Sequence, residues 1–237
     1  MERERAVDRL ESLVDRVAGE PMPVPVREVW AFGDIALGLD PVERLDVYLT
    51  KDVIMGGDSD AAAEFEAEYG VKGVGTTVDA EWVEAHPDRV RTSDNGYAAP
   101  EKCLAAELVG ASGRRGASGS EGHGPSGDRA KPDDDEPIHL EVCNAGFEDN
   151  VRQRLKGALA RDAYGEVLDP RGVCLWVDGV RDDEAFDRLR EASLAMPTLP
   201  AALGMLGADE DAATEAADVL KRQRAEQEGA SVRGDMV

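Results

Sequence analysis

Two acidic residues, Asp46 and Glu141, are embedded in apolar runs that predict strands. Asp46 lies in Leu45-Asp-Val-Tyr-Leu, and Glu141 lies in Ile138-His-Leu-Glu-Val-Cys. A glycine turn, Gly33-Asp34, follows a further apolar run from Val29 to Phe32. Carboxylate oxygens are the ligands that hard cations such as Mg²⁺ prefer. These residues therefore have the types needed to hold a hard cation.

The elements that position these residues can be predicted from the alternation of apolar runs and turn residues. Val29 to Phe32 predicts a strand that ends at Gly33, Ile35 to Leu39 predicts a turn or short helix, and Leu45 to Thr50 predicts a second strand. Ile138 to Cys143 and Val173 to Val177 predict two more. We therefore expect an α/β fold with a small mixed sheet flanked by helices.

The order of strand, glycine turn and acidic strand resembles the DNA polymerase β-like nucleotidyltransferase superfamily. In that family Gly-Ser is followed, after a spacer of about ten residues, by Asp-x-Asp on the next strand. The matching residues here are Gly33-Asp34 and Asp46-Val47-Tyr48. The resemblance implies that Gly33 and Asp34 bind the nucleotide. It also implies that Asp46 and Glu141 hold Mg²⁺ and are the catalytic carboxylates, with Glu141 supplied by a later strand.

Two residues depart from the family pattern. Asp34 places an anion where the family has a serine hydroxyl, which would repel a phosphate unless a cation lies between them. Tyr48 replaces a metal ligand with a phenol whose pKa of about 10 keeps it neutral near pH 7. These departures favour a catalytically degenerate protein that binds a nucleotide. An active Mg²⁺-dependent nucleotidyltransferase, with Asp34 as an unusual ligand, and a non-enzymatic interaction scaffold are the alternatives.

The charge of the chain points to its solvent more than to its partners. The 237 residues carry a formal net charge of -23, from 50 acidic and 27 basic residues, and only six of the basic residues are lysines. Such a composition resembles soluble proteins of salt-in halophilic archaea. At molar salt the Debye length is about 3 Å, so the repulsion between surface acids is largely screened. The whole chain also resembles members of an uncharacterised haloarchaeal protein family.

Several classes of function find no support in the sequence. The chain has no basic stripe with interleaved aromatic residues, so nucleic-acid binding is not supported. It has neither a signal peptide nor an apolar run near 18 residues, so we expect a soluble cytoplasmic protein without membrane contacts. Three widely spaced cysteines indicate neither a disulfide framework nor a zinc site. His139 would share a strand face with Glu141, although an ordinary hydrogen-bonded histidine is the simpler interpretation.

We predict two regions along the chain. Residues 1–180 form the nucleotidyltransferase-like α/β domain, and residues 181–237 form a helical extension that is compatible with binding a protein partner. Within the first region, residues 110–137 are rich in Gly, Ser, Asp and Arg and show no apolar periodicity. That composition predicts a disordered insertion, since it buries too little apolar surface to offset the entropy of ordering.

Overall fold

A computed structural model describes residues 1–19, 21–54, 59–109, 137–226 and 231–234. Within these residues a mixed sheet is flanked by helices, as the sequence predicts. The strands are β1 (Val26–Phe32), β2 (Leu45–Lys51), β3 (Ile138–Cys143), β4 (Gly172–Val177), β5 (Val180–Arg181) and β6 (Ser231–Gly234). The helices are α1 (Arg3–Gly19), α2 (Ser59–Tyr69), α3 (Ala80–Ala85), α4 (Pro100–Leu108), α5 (Phe147–Arg161), α6 (Asp183–Glu191), α7 (Leu199–Met205) and α8 (Glu210–Glu226).

The sheet places β2 and β3 side by side near its centre. Its strand order is β5-β4-β1-β2-β3-β6. Strand β1 is antiparallel to both β2 and β4, whereas β2, β3 and β6 run parallel to one another. The two strands that carry the embedded acids are therefore neighbours, although almost a hundred residues separate them in sequence.

The main core covers one face of the sheet. Apolar residues of β2 at alternate positions, Leu45, Val47 and Leu49, point to this face, and helices α1, α4 and α6 pack over it. Helix α1 contributes a stripe that includes Leu10 and Val14, with the spacing expected of a helix that buries one side. Because side chains alternate along a strand, the intervening residues Asp46 and Tyr48 point to the opposite face.

The opposite face is covered in part by α5 and by a small helical cluster. Phe32, Tyr48 and Phe147 pack together beside the sheet, and the rings of Tyr48 and Phe147 meet edge to face at 5.2 Å. A second cluster joins α5, α7 and α8 through Leu155, Leu203 and neighbouring alanines. Helix α8 thus lies on the same side of the sheet as Asp46, and its last turns approach the glycine turn after β1.

The four strands predicted from sequence are confirmed, with boundaries that differ by a few residues at most. Asp79 caps the start of α3 by accepting a hydrogen bond from the Trp82 amide. The C-terminal region differs from its helical prediction, because Ser231–Gly234 forms strand β6 beside β3. The predicted insertion, residues 110–137, lies outside the described residues except for Pro137. Among the described helices, none has the length and apolarity required to span a membrane.

Candidate functional site

The functional residues of the sheet lie in two rows across its three parallel strands. Asp46 of β2 pairs in register with His139 of β3, and His139 pairs with Ser231 of β6. One step further along, Tyr48, Glu141 and Arg233 form the second row. Register partners in a parallel sheet point to the same face, and residues two apart along a strand do so as well. Polar side chains from distant parts of the sequence therefore converge on one face.

The glycine turn after β1 is shaped by a close approach of charged side chains. Gly33 has a φ of +70°, and a Cβ added there would lie 2.2 Å from Oδ2 of Asp46 and 2.7 Å from Nη1 of Arg224. Only glycine combines this backbone angle with so little space. The resemblance to nucleotidyltransferases implies that a phosphate would occupy this space. In the structure the side chains of Asp46 and Arg224 occupy it.

Asp34 organises the turn through both of its carboxylate oxygens. Oδ2 accepts hydrogen bonds from the backbone amides of Glu43 and Arg44, at 3.0 and 3.3 Å. Oδ1 lies 2.8 Å from Nη2 of Arg224. The negative charge that distinguishes this chain from the family pattern therefore has a structural role: it ties the turn to the loop before β2 and to helix α8.

Asp46 is fully buried between two arginines. Nη2 of Arg44 lies 2.6 Å from Oδ1, and Nη2 of Arg224 lies 2.9 Å from Oδ2. Burial raises the pKa of Asp46, and the positive charges of Arg224 and Arg44 act in the opposite direction. A divalent cation on this carboxylate would have to displace at least one of these guanidinium groups.

Glu141 is also buried and has its own set of cationic partners. Nη1 of Arg154 on α5 lies 2.5 Å from Oε1, and Nε2 of His139 lies 3.0 Å from Oε2. Nε of Arg233 is 3.7 Å from Oε1. Burial tends to raise the pKa of Glu141, but the His139 hydrogen bond and the charges of Arg154 and Arg233 outweigh it and lower the pKa below its ordinary value. Glu141 is therefore ionised near neutral pH.

Tyr48 anchors α5 to the sheet. Its hydroxyl donates a hydrogen bond to the carbonyl oxygen of Ala145 at 2.7 Å and accepts one from Nδ2 of Asn150 at 2.8 Å. Burial raises the pKa of the phenol further above its ordinary value. At the position where the family pattern has a metal-binding aspartate, this chain has a neutral side chain with both hydrogen-bonding roles in use.

A cleft of about 830 Å³ opens between the sheet face, the glycine turn and the C-terminal helices. Asp34 and Glu141 contribute to its lining, whereas Asp46 and Gly33 do not. Among the described residues, five cations and four carboxylates line the cleft: Arg44, Arg171, Lys221, Arg224 and Arg233, with Asp34, Glu43, Glu141 and Asp169. Acidic and basic side chains are nearly balanced in this lining, so the cleft is far less negative than the chain as a whole, whose formal net charge is -23.

One side of the cleft carries a serine, a histidine and a glutamate in hydrogen-bond contact. The imidazole of His139 lies between the two others, with Nδ1 at 2.6 Å from Oγ of Ser231 and Nε2 at 3.0 Å from Oε2 of Glu141. All three residues line the cleft. The predicted sharing of a strand face by His139 and Glu141 is confirmed as a direct contact.

The arginines and Ser231 were not predicted from the sequence as site residues. Arg44 precedes Asp46 by two residues, which was a usable signal, because both point to one face if the strand is extended to Arg44. Arg224 and Ser231 gave no such signal, since their positions depend on how α8 and β6 return to the sheet.

The assignment of Mg²⁺ to Asp46 and Glu141 stays a prediction. Across the described ranges, no group of three or more His, Cys, Asp or Glu side chains is arranged to hold a metal ion. Arginine guanidinium groups instead contact Asp34, Asp46 and Glu141. The carboxylates of this face are therefore charge partners of arginines in the arrangement that the structure shows.

Comparison with known proteins identifies a family but no activity. Residues 2–237 match the model of a family of unknown function, DUF7095, and the chain belongs to that family. No curated protein and no solved structure matches the chain.

Proposed function

For this member of a family of unknown function, we propose a nucleotidyltransferase-like protein that binds a nucleotide in the cleft without catalysing metal-dependent transfer. The observation that carries this proposal is the pairing of Asp46 with Arg44 and Arg224. Those two guanidinium groups compensate the carboxylate charge that a metal would otherwise balance. The strand and turn order that resembles the family remains, while its metal-binding chemistry is replaced by fixed cations.

The cationic lining suits the phosphate part of a nucleotide. Arg233 is the most accessible of the site arginines, since 42% of its side chain is exposed and its contact with Glu141 is long, at 3.7 Å. Arg171 lies on the opposite side and is held by Asp169 through contacts of 2.9 and 2.7 Å. Charge-assisted hydrogen bonds from guanidinium groups are strong and favour planar or bidentate recognition of phosphate.

The lining also includes apolar side chains that suit the base. Phe32, Leu37, Leu168, Leu199 and Pro200 all line the cleft. Small-molecule sites typically enclose about 300 to 1,000 Å³ and combine apolar walls with a few polar anchors. A volume of about 830 Å³ lies within this range, so the cleft has room for a nucleoside phosphate.

We also infer that the protein works in the cytosol at high salt, because its acidic excess resembles that of salt-adapted proteins. Screening at molar salt weakens surface repulsion, and partly buried pairs such as Arg224 with Asp34 are screened less. Binding measurements therefore belong in molar KCl, with a parallel series in dilute buffer.

The test is calorimetric titration of the purified protein with each nucleoside triphosphate, with and without Mg²⁺. We expect binding of at least one nucleotide without Mg²⁺. Arg233→Gln should weaken nucleotide affinity by about 10-fold or more, which is the contribution expected from one hydrogen bond to a charged group. Arg152→Gln is the matched control, because Arg152 is exposed on α5 and pairs with Glu148 and Asp149 outside the cleft.

Two results would contradict this proposal in different ways. Binding that requires Mg²⁺ and disappears in an Asp46→Ala, Glu141→Ala variant, together with pyrophosphate release, would favour an active nucleotidyltransferase. The absence of nucleotide binding by a folded protein would favour the interaction scaffold, with the C-terminal helices as the surface for a protein partner.

A further inference from the structure

Ser231, His139 and Glu141 have the connectivity of a nucleophile, a general base and an orienting acid. We propose that Ser231 is a nucleophile that His139 activates, and that the cleft cleaves a carboxylic ester bearing a negative charge. This activity goes beyond nucleotide binding. The bond cleavage uses Ser231, His139 and Glu141 and does not require a nucleotide, whereas Arg233 is assigned to the anionic group of the ligand in both proposals.

The sheet holds the three residues in place. Ser231 and His139 are register partners on the parallel strands β6 and β3, and Glu141 follows His139 two residues later. Side chains placed on neighbouring strands are held more rigidly than side chains on loops. The spacing of 2.6 Å between Oγ of Ser231 and Nδ1 of His139 is within the reach required for proton transfer from nucleophile to base.

The charge on Glu141 sets the tautomer of His139. An ionised carboxylate only accepts hydrogen bonds, and contacts with Arg154 and Arg233 keep Glu141 ionised. In neutral His139 the proton therefore lies on Nε2, which donates to Glu141, and Nδ1 is left to accept from the Ser231 hydroxyl. This is the tautomer that a general base for Ser231 requires. Glu141 is thus a positioning residue that acts through His139.

The proposed reaction has two balanced steps. In the first, Oγ of Ser231 bonds to the ester carbonyl carbon, its proton moves to Nδ1 of His139, and the bond to the alcohol oxygen breaks. The alcohol leaves with that proton. In the second, water attacks the acyl carbon and gives a proton to His139. The bond between the acyl carbon and Oγ of Ser231 then breaks, the proton returns from His139 to Oγ, and the carboxylic acid leaves.

The cleft chemistry favours an anionic substrate. Arg233 lies two residues after Ser231 on β6, so it points to the same face, and its guanidinium group is accessible. Arg171 and Lys221 also line the cleft. An ester with a carboxylate or phosphate group away from the scissile bond would place its charge against these residues while Ser231 faces the carbonyl.

The first test uses a fluorophosphonate probe, with intact-mass and peptide mass spectrometry as the readouts. Attack by Ser231 forms an O–P bond, expels fluoride and passes the hydroxyl proton to His139. We expect one adduct per chain, located on Ser231. Ser231→Ala should abolish labelling, His139→Gln should slow it about 100-fold, the lower end of general-base contributions, and Ser12→Ala should leave it unchanged. Ser12 is the matched control because its exposed hydroxyl lies on α1 and donates to the carbonyl oxygen of Asp8.

A second readout examines Glu141 without relying on activity. Nitrogen-15 NMR of the imidazole should show His139 protonated at Nε2 in the wild type, and Glu141→Gln should change that tautomer distribution.

Release of 4-nitrophenol from activated esters should be faster when the acyl group carries a carboxylate, and Arg233→Gln should remove the preference.

The proposal is overturned if the folded wild type takes up no fluorophosphonate, if the adduct lies on another residue, or if His139→Gln is labelled at the wild-type rate. Circular dichroism establishes folding for each variant. If Ser231→Ala or His139→Gln fails to fold, the residue that carries the adduct in the wild type decides whether the proposal stands.

Discussion

Replacing Gly33 by alanine tests the charged core of the site directly. The new Cβ would lie 2.2 Å from Oδ2 of Asp46 and 2.7 Å from Nη1 of Arg224. Arg224 is partly exposed and can swing outward, whereas Asp46 is fully buried, and Arg44 holds its other oxygen. We therefore expect the substitution to separate Asp46 from Arg224 while the pair with Arg44 persists.

The expected loss of stability has two parts. An L-residue in the left-handed region costs about 1 to 2 kcal/mol. Removing one partner from a buried ion pair costs about 3 to 5 kcal/mol, and the lower end applies because Arg44 stays with Asp46. Gly33→Ala should therefore lower the free energy of unfolding by about 4 kcal/mol, a large fraction of the roughly 5 to 15 kcal/mol typical of a folded domain.

Gly70→Ala separates the cost of backbone strain from the cost of the lost ion pair. Gly70 has a φ of +68°, almost the same as Gly33, but a Cβ there meets nothing within 4 Å. Gly70→Ala should therefore lower the free energy of unfolding only by the backbone strain, about 1 to 2 kcal/mol. Denaturant unfolding followed by circular dichroism in molar KCl measures both variants. Equal losses would refute the reasoning, because they would mean that the contact between Asp46 and Arg224 contributes nothing beyond the backbone angle of Gly33.

Two further predictions concern titratable groups. The pKa of Glu141 lies below its ordinary value, which is about 4.3, so its ionised form stabilises the fold near neutrality and this contribution disappears as the pH falls through the lowered pKa. The stability difference between wild type and Glu141→Gln should therefore shrink in acid, and denaturation midpoints that keep a constant gap from pH 7 to pH 3 would contradict this. Burial raises the pKa of Cys103 to about 11 and also raises the pKa of Cys174. Because Cys103 is buried whereas Cys174 is only half-buried, the native protein should react with a thiol reagent at Cys174 well before Cys103. Loss of the earliest reaction phase in Cys174→Ala checks this, whereas its loss in Cys103→Ala would contradict it.

The sheet could be predicted from sequence because its strands are short apolar runs bounded by turn residues. The same logic placed His139 and Glu141 on one face, since side chains alternate along a strand. The pairing of Asp46 with Glu141 was implied only by the resemblance to nucleotidyltransferases. The glycine at position 33 was also identified, although the structure fills its space with Asp46 and Arg224 where the resemblance to nucleotidyltransferases implies a phosphate.

The charge partners of these acids could not be predicted in this way. Arg154 and Arg224 come from helices whose orientation is set by tertiary packing, and a helix pattern alone does not say which distant carboxylate an arginine will meet. Strand β6 is only four residues long and follows a long helix, so its periodicity is too short to distinguish a strand from a tail. Ser231 and Arg233 were therefore missed as site residues together with the strand itself.

The position of β6 has a consequence for how the site is made in the cell. Ser231 pairs with a strand that begins almost a hundred residues earlier, and Arg224 reaches the turn at Gly33 across nearly the whole described chain. During translation, domains begin to fold from the N-terminal side, so β1, β2 and β3 emerge from the ribosome before these residues exist. Asp34 and Asp46 then lack Arg224, and Glu141 lacks Arg233. The nascent protein passes through a stage in which β1, β2 and β3 can pair, whereas β6 and the cleft cannot yet form.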